Sequence, residues 1–329
     1  MMPNEWIYAP SNPDQISGDK LLIAVSYECR FVESLKRDLQ WCRLKEVILL
    51  VFVNYFDSRA EGSDWDDEAV ALYQTNYVTA KDLVSSAGLA FREIRLTLDD
   101  LPEFIENVTE LGSANFVLDF STMPRSYLLL FLRHSPLAPT TLVYTLAKAR
   151  KTDELAYTTG VKDVVILPGF EGIVGHKPTL LVLSIGFEGA RAYNVFRLYE
   201  PTATLVFLGD PGTVAGDDRG SILAAVKANN STLLATDTVH YEQLPSFDPA
   251  EFARIAQVYI DQMVMRLNKK HLSDIDVILA PVGTKVQALG LFNIWLRKRS
   301  YQIAYPIPSV RKVGTEEVGP TLIYRRMPL

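Results

Sequence analysis

Cysteine is nearly absent from this chain: Cys29 and Cys42 are the only two among 329 residues, at a spacing that matches no metal motif. A disulfide framework is thereby excluded, and the pair reads as reduced thiols of a cytoplasmic protein. Long apolar runs are missing too. The longest, such as Val47 to Val53, fall far short of the roughly 20 residues that a membrane-spanning helix needs. The opening residues, Met1-Met2-Pro3-Asn4-Glu5-Trp6, lack the basic flank and apolar stretch of a signal peptide. Nor is there an excess of positive charge. The 33 basic and 39 acidic residues leave a net charge of −6, which argues against duplex nucleic acid or a membrane surface as partner. Any bound anion must be met by a local cluster of cations.

Several catalytic signatures are missing as well. No Gly-x-Gly-x-x-Gly follows an apolar run, and Gly283-Thr284-Lys285 lacks the upstream glycine of a P-loop. There is no Gly-x-Ser-x-Gly elbow. The four histidines, His134, His176, His240 and His271, form no metal-ligand spacing. Metal and serine hydrolases are disfavoured, and no cofactor or metal is expected.

What is present is the composition of a globular protein, 48% apolar and 22% charged, with length for two domains of ordinary size. Short β-branched runs alternate with segments of helical period. The pattern predicts strands at Leu21–Val25, Val47–Val53, Phe91–Leu96, Asn115–Phe120 and Thr141–Thr145. Helices are predicted over Phe31–Trp41, Glu68–Ser86 (ended by Gly88), Leu101–Leu111 and Pro124–His134. From about Thr179 the order begins again, with strands at Leu180–Leu183, Thr204–Leu208, Thr232–Thr236, Asp276–Ala280 and Tyr301–Tyr305. Helices at Gly189–Tyr199, Ser221–Ala228, Pro249–Lys269 and Val286–Arg297 fall between them. Strand and helix in that rhythm imply mostly parallel sheets with right-handed crossovers.

The two runs match at a near-constant offset. Glu28 and Glu188 stand 160 positions apart, as do Arg125 and Lys285, whereas Tyr144, Arg150 and Lys151 recur 161 positions on as Tyr305, Arg311 and Lys312. The expected fold class is therefore α/β, as two tandem Rossmann-like, mostly parallel sheets related by internal duplication about a pseudo-twofold. Residues 1–172 form the first half and 173–329 the second.

In such sheets ligands bind beyond the carboxyl ends of the strands, and three sets of polar residues fall there. The first is Ser26, Glu28 and Arg30, with Ser184, Glu188 and Arg191. The second is Asp119, Ser121, Thr122 and Arg125, with Gly283, Thr284 and Lys285. The third is Arg150 and Lys151, with Arg311 and Lys312. Hydroxyls, backbone N–H groups and a cation at the start of a helix suit a phosphate. Each set also has a plainer reading. Ser121 and Thr122 are the residues that cap helices, Glu28–Arg30 and Glu188–Arg191 are the pairs that make local salt bridges, and the third set suits a solvated loop.

Asp119-x-Ser121-x-x-x-Arg125, and Gly283-Thr284-Lys285 after an apolar run, resemble the signature loop of CARF domains. These are the Rossmann-like sensors of cyclic oligonucleotides in type III CRISPR and related defence systems. The family shows Asp-x-Thr-Gly-Gly-Thr-Lys. Here Thr122-Met123 stand where two glycines are expected, and Leu279 stands where the second Asp would be. A tandem pair in one chain is also similar to the SAVED arrangement. The resemblance implies a pseudo-twofold pocket in which Arg125 and Lys285 face each other across a small nucleotide-like ligand, in bacterial or archaeal defence. About 20 residues follow the second repeat, so the output is expected from an effector partner, from oligomerisation, or from chemistry in the pocket itself. The oligomeric state stays open.

Two other classes stand beside this one. One is an enzyme acting on a nucleotide or phosphosugar, either through ring-nuclease cleavage with Glu28 or Glu188 moving a proton, or through phosphoribosyl transfer. The phosphate loop of phosphoribosyltransferases is distantly similar to Asp119–Thr122, but their paired acids are missing here. The other class is an interaction subunit of a defence complex.

Overall fold

The computed structural model describes residues 4–9, 16, 18–52, 64–65, 67–97, 101–109, 111, 116–135, 141–149, 158–159, 161–173, 178–212, 218–268, 275–311 and 316–328. Its elements run in chain order β1 (Asn4–Ala9), β2 (Lys20–Ala24), α1 (Arg30–Trp41), β3 (Glu46–Phe52), β4 (Asp64–Trp65), α2 (Asp67–Ser86), β5 (Ala90–Leu96), α3 (Leu101–Thr109), β6 (Phe116–Asp119), α4 (Arg125–His134) and β7 (Thr141–Ala149). They continue with β8 (Thr158–Thr159), β9 (Asp163–Ile166), β10 (Thr179–Ile185), α5 (Gly189–Tyr199), β11 (Ala203–Asp210), α6 (Arg219–Asn229), α7 (Ser231–Leu234) and β12 (Val239–Pro245). The last are α8 (Pro249–Asn268), β13 (Asp276–Pro281), α9 (Lys285–Arg297), β14 (Gln302–Ile307), β15 (Val310–Arg311) and β16 (Glu316–Pro328).

By its contacts the chain divides into two units. The first comprises Tyr8–Glu154 and Val310–Arg326, and the second Met1–Ile7, Leu155–Ser309 and Met327–Leu329. The residues from Leu155 to 172, grouped by the sequence pattern with the first half, supply β9 to the second sheet.

The first sheet has the order β1-β16-β7-β6-β2-β3-β5. The pairs β5–β3, β3–β2, β2–β6 and β6–β7 are parallel, and β16 pairs antiparallel with β7. The second sheet has the order β12-β11-β10-β13-β14-β9. Here β12–β11, β11–β10, β10–β13 and β13–β14 are parallel, and β9 pairs antiparallel with β14. The protein is therefore an α/β protein with two mostly parallel, Rossmann-like sheets. Both run 3-2-1-4-5 through their parallel strands.

The strands form where unbroken apolar runs can be buried on both faces. Leu21, Leu22, Ile23 and Ala24 of β2, and Leu180 to Leu183 of β10, are fully buried. On one face of the first sheet Leu21 and Ile23 pack with Phe31 and Leu35 of α1 and Ala80 and Val84 of α2. In the second, Leu181 and Leu183 pack with Ala192 and Val195 of α5 and Val226 of α6. Each such leucine contributes roughly 1.5–3 kcal/mol on burial. Helix α2 ends where expected, at Ser86, with Gly88 just beyond it, whose φ of 68° suits a residue without a Cβ.

One expected strand is not one. Thr232–Thr236 reads as β-branched and apolar, but Ser231–Leu234 is the short helix α7, with Leu233 buried against the second core. The strand that fills this place is β12, whose His240, Tyr241 and Gln243 are exposed on an edge of the sheet. An edge strand needs no continuous apolar run, so its polarity hid it. Among the described residues no helix is long and apolar enough to cross a membrane.

Candidate functional site

In an open parallel sheet the loops splay apart where the strand order reverses, and a crevice opens there at the carboxyl ends. That switch point falls between β2 and β6 in the first sheet, and between β10 and β13 in the second. The loops flanking it are 25–29 and 120–124 in the first unit, 186–188 and 282–284 in the second. These are the loops of the first two candidate sets.

In the first unit, Ser26 Oγ accepts from the Glu28 N–H at 3.2 Å. Arg30, the first residue of α1, donates from Nε to Glu28 Oε2 at 2.6 Å and from Nη1 to the Thr145 carbonyl at 3.3 Å. Its guanidinium lies 5.8 Å from the centre of the Tyr144 ring. Asp119 ends β6 and turns the chain, accepting from the Ser121 N–H at 2.7 Å and from the hydroxyls of Ser121 and Ser34. Thr122 Oγ1 donates to the Ala24 carbonyl at 2.7 Å, tying the two flanks of the switch point together. Ser121 and Thr122 therefore do not cap α4, whose N-cap is Pro124 with no side-chain cap bond. Arg125 opens that helix and is partly buried.

The second unit repeats the plan with other atoms. The N–H groups of Val282 and Gly283 donate to the Ser184 carbonyl at 3.0 and 2.7 Å, again joining the flanks. Arg191 pairs with Glu188, donates to the Pro306 carbonyl and lies 5.6 Å from the Tyr305 ring centre. Burial opposes the Arg191 charge, yet Glu188 and Tyr305 hold its pKa above the ordinary arginine value. Thr284 caps α9 with a full capping box. Its Oγ1 accepts from the Gln287 N–H at 3.2 Å, and Gln287 Oε1 accepts from the Thr284 N–H at 2.7 Å. Lys285 opens α9 and is partly buried. A Cβ on Gly283 would collide with Gln287 Oε1 and lie 3.0 Å from the Ile185 carbonyl oxygen. Ser184 Oγ is fully buried and meets no hydrogen-bond partner among the described residues.

The arginine, the tyrosine and the carbonyl all recur at one offset: 191 − 30, 305 − 144 and 306 − 145 each give 161. Arg30 and Arg191 are committed to these internal contacts, with side chains only 6% and 1% exposed. Glu28 and Glu188 are their partners. Of the third set, Arg150, Lys151 and Lys312 lie outside the described residues, and Arg311 is described only by its backbone, paired in β15 with Trp65 of β4.

Sequence reasoning missed the residues that hold these loops. Asn76 Nδ2 on α2 donates to the Ser26 carbonyl at 2.9 Å. Asn230 Nδ2, between α6 and α7, donates to the Gly186 carbonyl at 2.8 Å. Ser34 and Asp38, on the buried face of α1 with Phe31 and Leu35, flank Asp119. The available signal was a polar residue on a buried helical stripe: Asn76 shares that stripe with Ala69, Ala80 and Val84.

Two helix N-termini open at each switch point, α1 with α4 and α5 with α9. The partial positive charge at a helix N-terminus favours an anion. No protein-family model matches the chain, and no curated protein matches it. Among solved structures it is similar to a type III CRISPR defence DNA nuclease activated by cyclic oligoadenylate, with a TM-score of 0.49 and 11% identity. That alignment covers 88% of this chain and 65% of the nuclease, so the chain spans under two thirds of that protein's length. The cytoplasmic domain of a prokaryotic cation chloride cotransporter aligns at a TM-score of 0.24 and 9% identity, over 89% of this chain and 96% of that one.

Proposed function

We propose that the protein binds an anionic, nucleotide-derived ligand at the switch points of its sheets, the ligand being a cyclic oligonucleotide messenger of bacterial or archaeal defence. One observation carries the reading. In both units, the loops singled out for phosphate-suited chemistry flank the switch point of the sheet, the place where open parallel sheets bind ligands, with Arg125 or Lys285 in the first turn of the adjoining helix.

Ser26, Thr122, Ser184, Gly283 and Thr284 shape the loop backbones. Arg125 and Lys285 supply the charge. Arg30 and Arg191 work from behind, bracing the loops through Glu28 and Glu188. The repeated arginine–tyrosine–carbonyl constellation supports an origin of the two units by duplication. Binding is favoured over cleavage, because Glu28 and Glu188, the candidate proton-transfer groups, are each paired with a buried guanidinium and would have to break that pair to act. The output then passes to an effector partner in the cytoplasm.

Calorimetry with a panel of cyclic di-, tri- and tetranucleotides tests this. At least one member binds, and Arg125→Ala and Lys285→Ala each weaken it roughly tenfold or more, as expected for the loss of a charge-assisted phosphate contact. Chromatography after incubation recovers the ligand intact. Folded protein that binds no member of the panel overturns the reading.

A further inference from the structure

Behind the 120–124 loop runs a chain of buried hydroxyls. Arg37 Nη1 on α1 donates to the Gly319 carbonyl at 2.7 Å and to Thr321 Oγ1 at 3.2 Å. Thr321, on β16, lies 2.9 Å from Thr145 Oγ1 on β7, which lies 2.9 Å from Ser34 Oγ on α1. Ser34 Oγ donates to Asp119 Oδ2. The ends fix the direction of every bond between them. A guanidinium can only donate and a carboxylate only accept, so each hydroxyl receives one hydrogen bond and passes one on. Hydrogen bonds aligned in this way, in a dry interior, polarise and strengthen one another. Beyond Asp119, the Ser121 N–H and Oγ donate to Oδ1, and Ser121 Oγ accepts from the Thr145 N–H at 2.7 Å. The chain thus ends in the turn that leads to Arg125.

The topology makes Thr321 an unexpected member. It arrives on β16, which follows the main segment of the second unit, Leu155–Ser309, in the sequence yet pairs with β7.

We infer that β16 is a working part of the first unit's candidate site, and that Thr321 is a positioning residue whose hydroxyl, through Thr145 and Ser34, sets Asp119 and the Ser121–Arg125 turn. The consequence for binding rests on the proposed ligand reading; the positioning of the turn does not. The chain at the 120–124 loop is therefore read out in two separate ways.

The experiment uses the full chain with Thr321→Val, which keeps the shape and removes the hydroxyl, Thr321→Ser, which keeps the hydroxyl, and Ser34→Ala. Amide hydrogen exchange is followed at Ser121 and Thr145, together with affinity for cyclic tetraadenylate. Thr321→Val and Ser34→Ala each speed exchange at Ser121 roughly three- to tenfold, the span expected for one hydrogen bond. Their effects are not additive in the double variant, and Thr321→Ser matches the parent. Affinity for cyclic tetraadenylate falls in the same order. If the parent does not bind that probe, the ligand reading loses support while exchange still decides the relay. Should Thr321→Val speed exchange along β16 and β7 but leave Ser121 at the parental rate, the relay is overturned. Additive effects overturn it as well.

Discussion

Asp38 on α1 lies fully buried beside Asp119 at the end of β6, and neither of its carboxyl oxygens meets a hydrogen-bond donor among the described residues. Burial, and then the like charge of Asp119, push its pKa well above the ordinary carboxylate range, with Arg37 pulling weakly the other way. The same surroundings push the Cys42 thiol up to about 12, burial first and then Asp38 and Asp119. The folded state therefore holds the Asp38 proton to higher pH than the unfolded chain does. Its contribution to stability is complete below the unfolded value and fades as pH rises through the folded one. Asp38→Asn, which cannot ionise, should match the parent near pH 4 and exceed it at pH 8 by a few degrees in Tm, with about 1 kcal/mol worth roughly 2–4 °C in a unit of this size. Thermal melts at pH 4, 6 and 8 decide it. Parallel curves for the two proteins would remove Asp38 from this role.

Arg191→Ala removes the buried ion-pair partner of Glu188 and the donor to the Pro306 carbonyl. Its cost in urea unfolding is expected at about 3–5 kcal/mol. Arg30→Ala costs less, since Glu28 is more exposed than Glu188 and water can take over part of the solvation. The reverse order of these two losses would contradict the account of the pairs.

Asn76→Ala and Asn230→Ala each strip a side-chain donor from a loop carbonyl, and each should cost about 1–3 kcal/mol. Hydrogen exchange should quicken in residues 25–29 for the first and 186–188 for the second. A change spread evenly over the unit would mean that these asparagines support the core rather than the loops.

Two glycine replacements should differ in sign. Gly283→Ala forces Gln287 out of its capping box, or moves the loop away from the Ile185 carbonyl, and is expected to cost about 1–3 kcal/mol. Gly220→Ala, in α6 with open space around the added methyl, should gain up to about 1 kcal/mol. Urea midpoints measure both, and equal effects would show that crowding at Gly283 is relieved elsewhere.

The buried parallel strands were legible because burial on both faces demands an apolar run, as in β2, β3 and β10. Among the strands that went unread, β1, β9 and β12 are edge strands of the two large sheets, where one row of partners is missing and polar residues are tolerated. Thr232–Thr236 failed because β-branched residues and a Leu pair fit a short helix that buries Leu233 as well as a strand. In the candidate site, spacing located Glu28, Arg30, Glu188 and Arg191, and the plainer reading of each pair as an ion pair describes their observed contacts. Asn76, Ser34 and Thr321 carried no motif. Their roles depend on chain segments 50 to 284 positions apart meeting around one switch point, and no local pattern encodes such a meeting.

The pairing of β16 with β7 sets a timetable for biosynthesis. β7 ends at Ala149 and β16 begins at Glu316, so a ribosome adding about 5–20 residues per second needs roughly ten to thirty seconds to deliver the second after the first. Throughout that interval the nascent first sheet carries an open row of amides and carbonyls along β7, the kind of margin on which neighbouring chains nucleate aggregates. A premature stop shortly before β16 would thus injure the part of the protein that was made first.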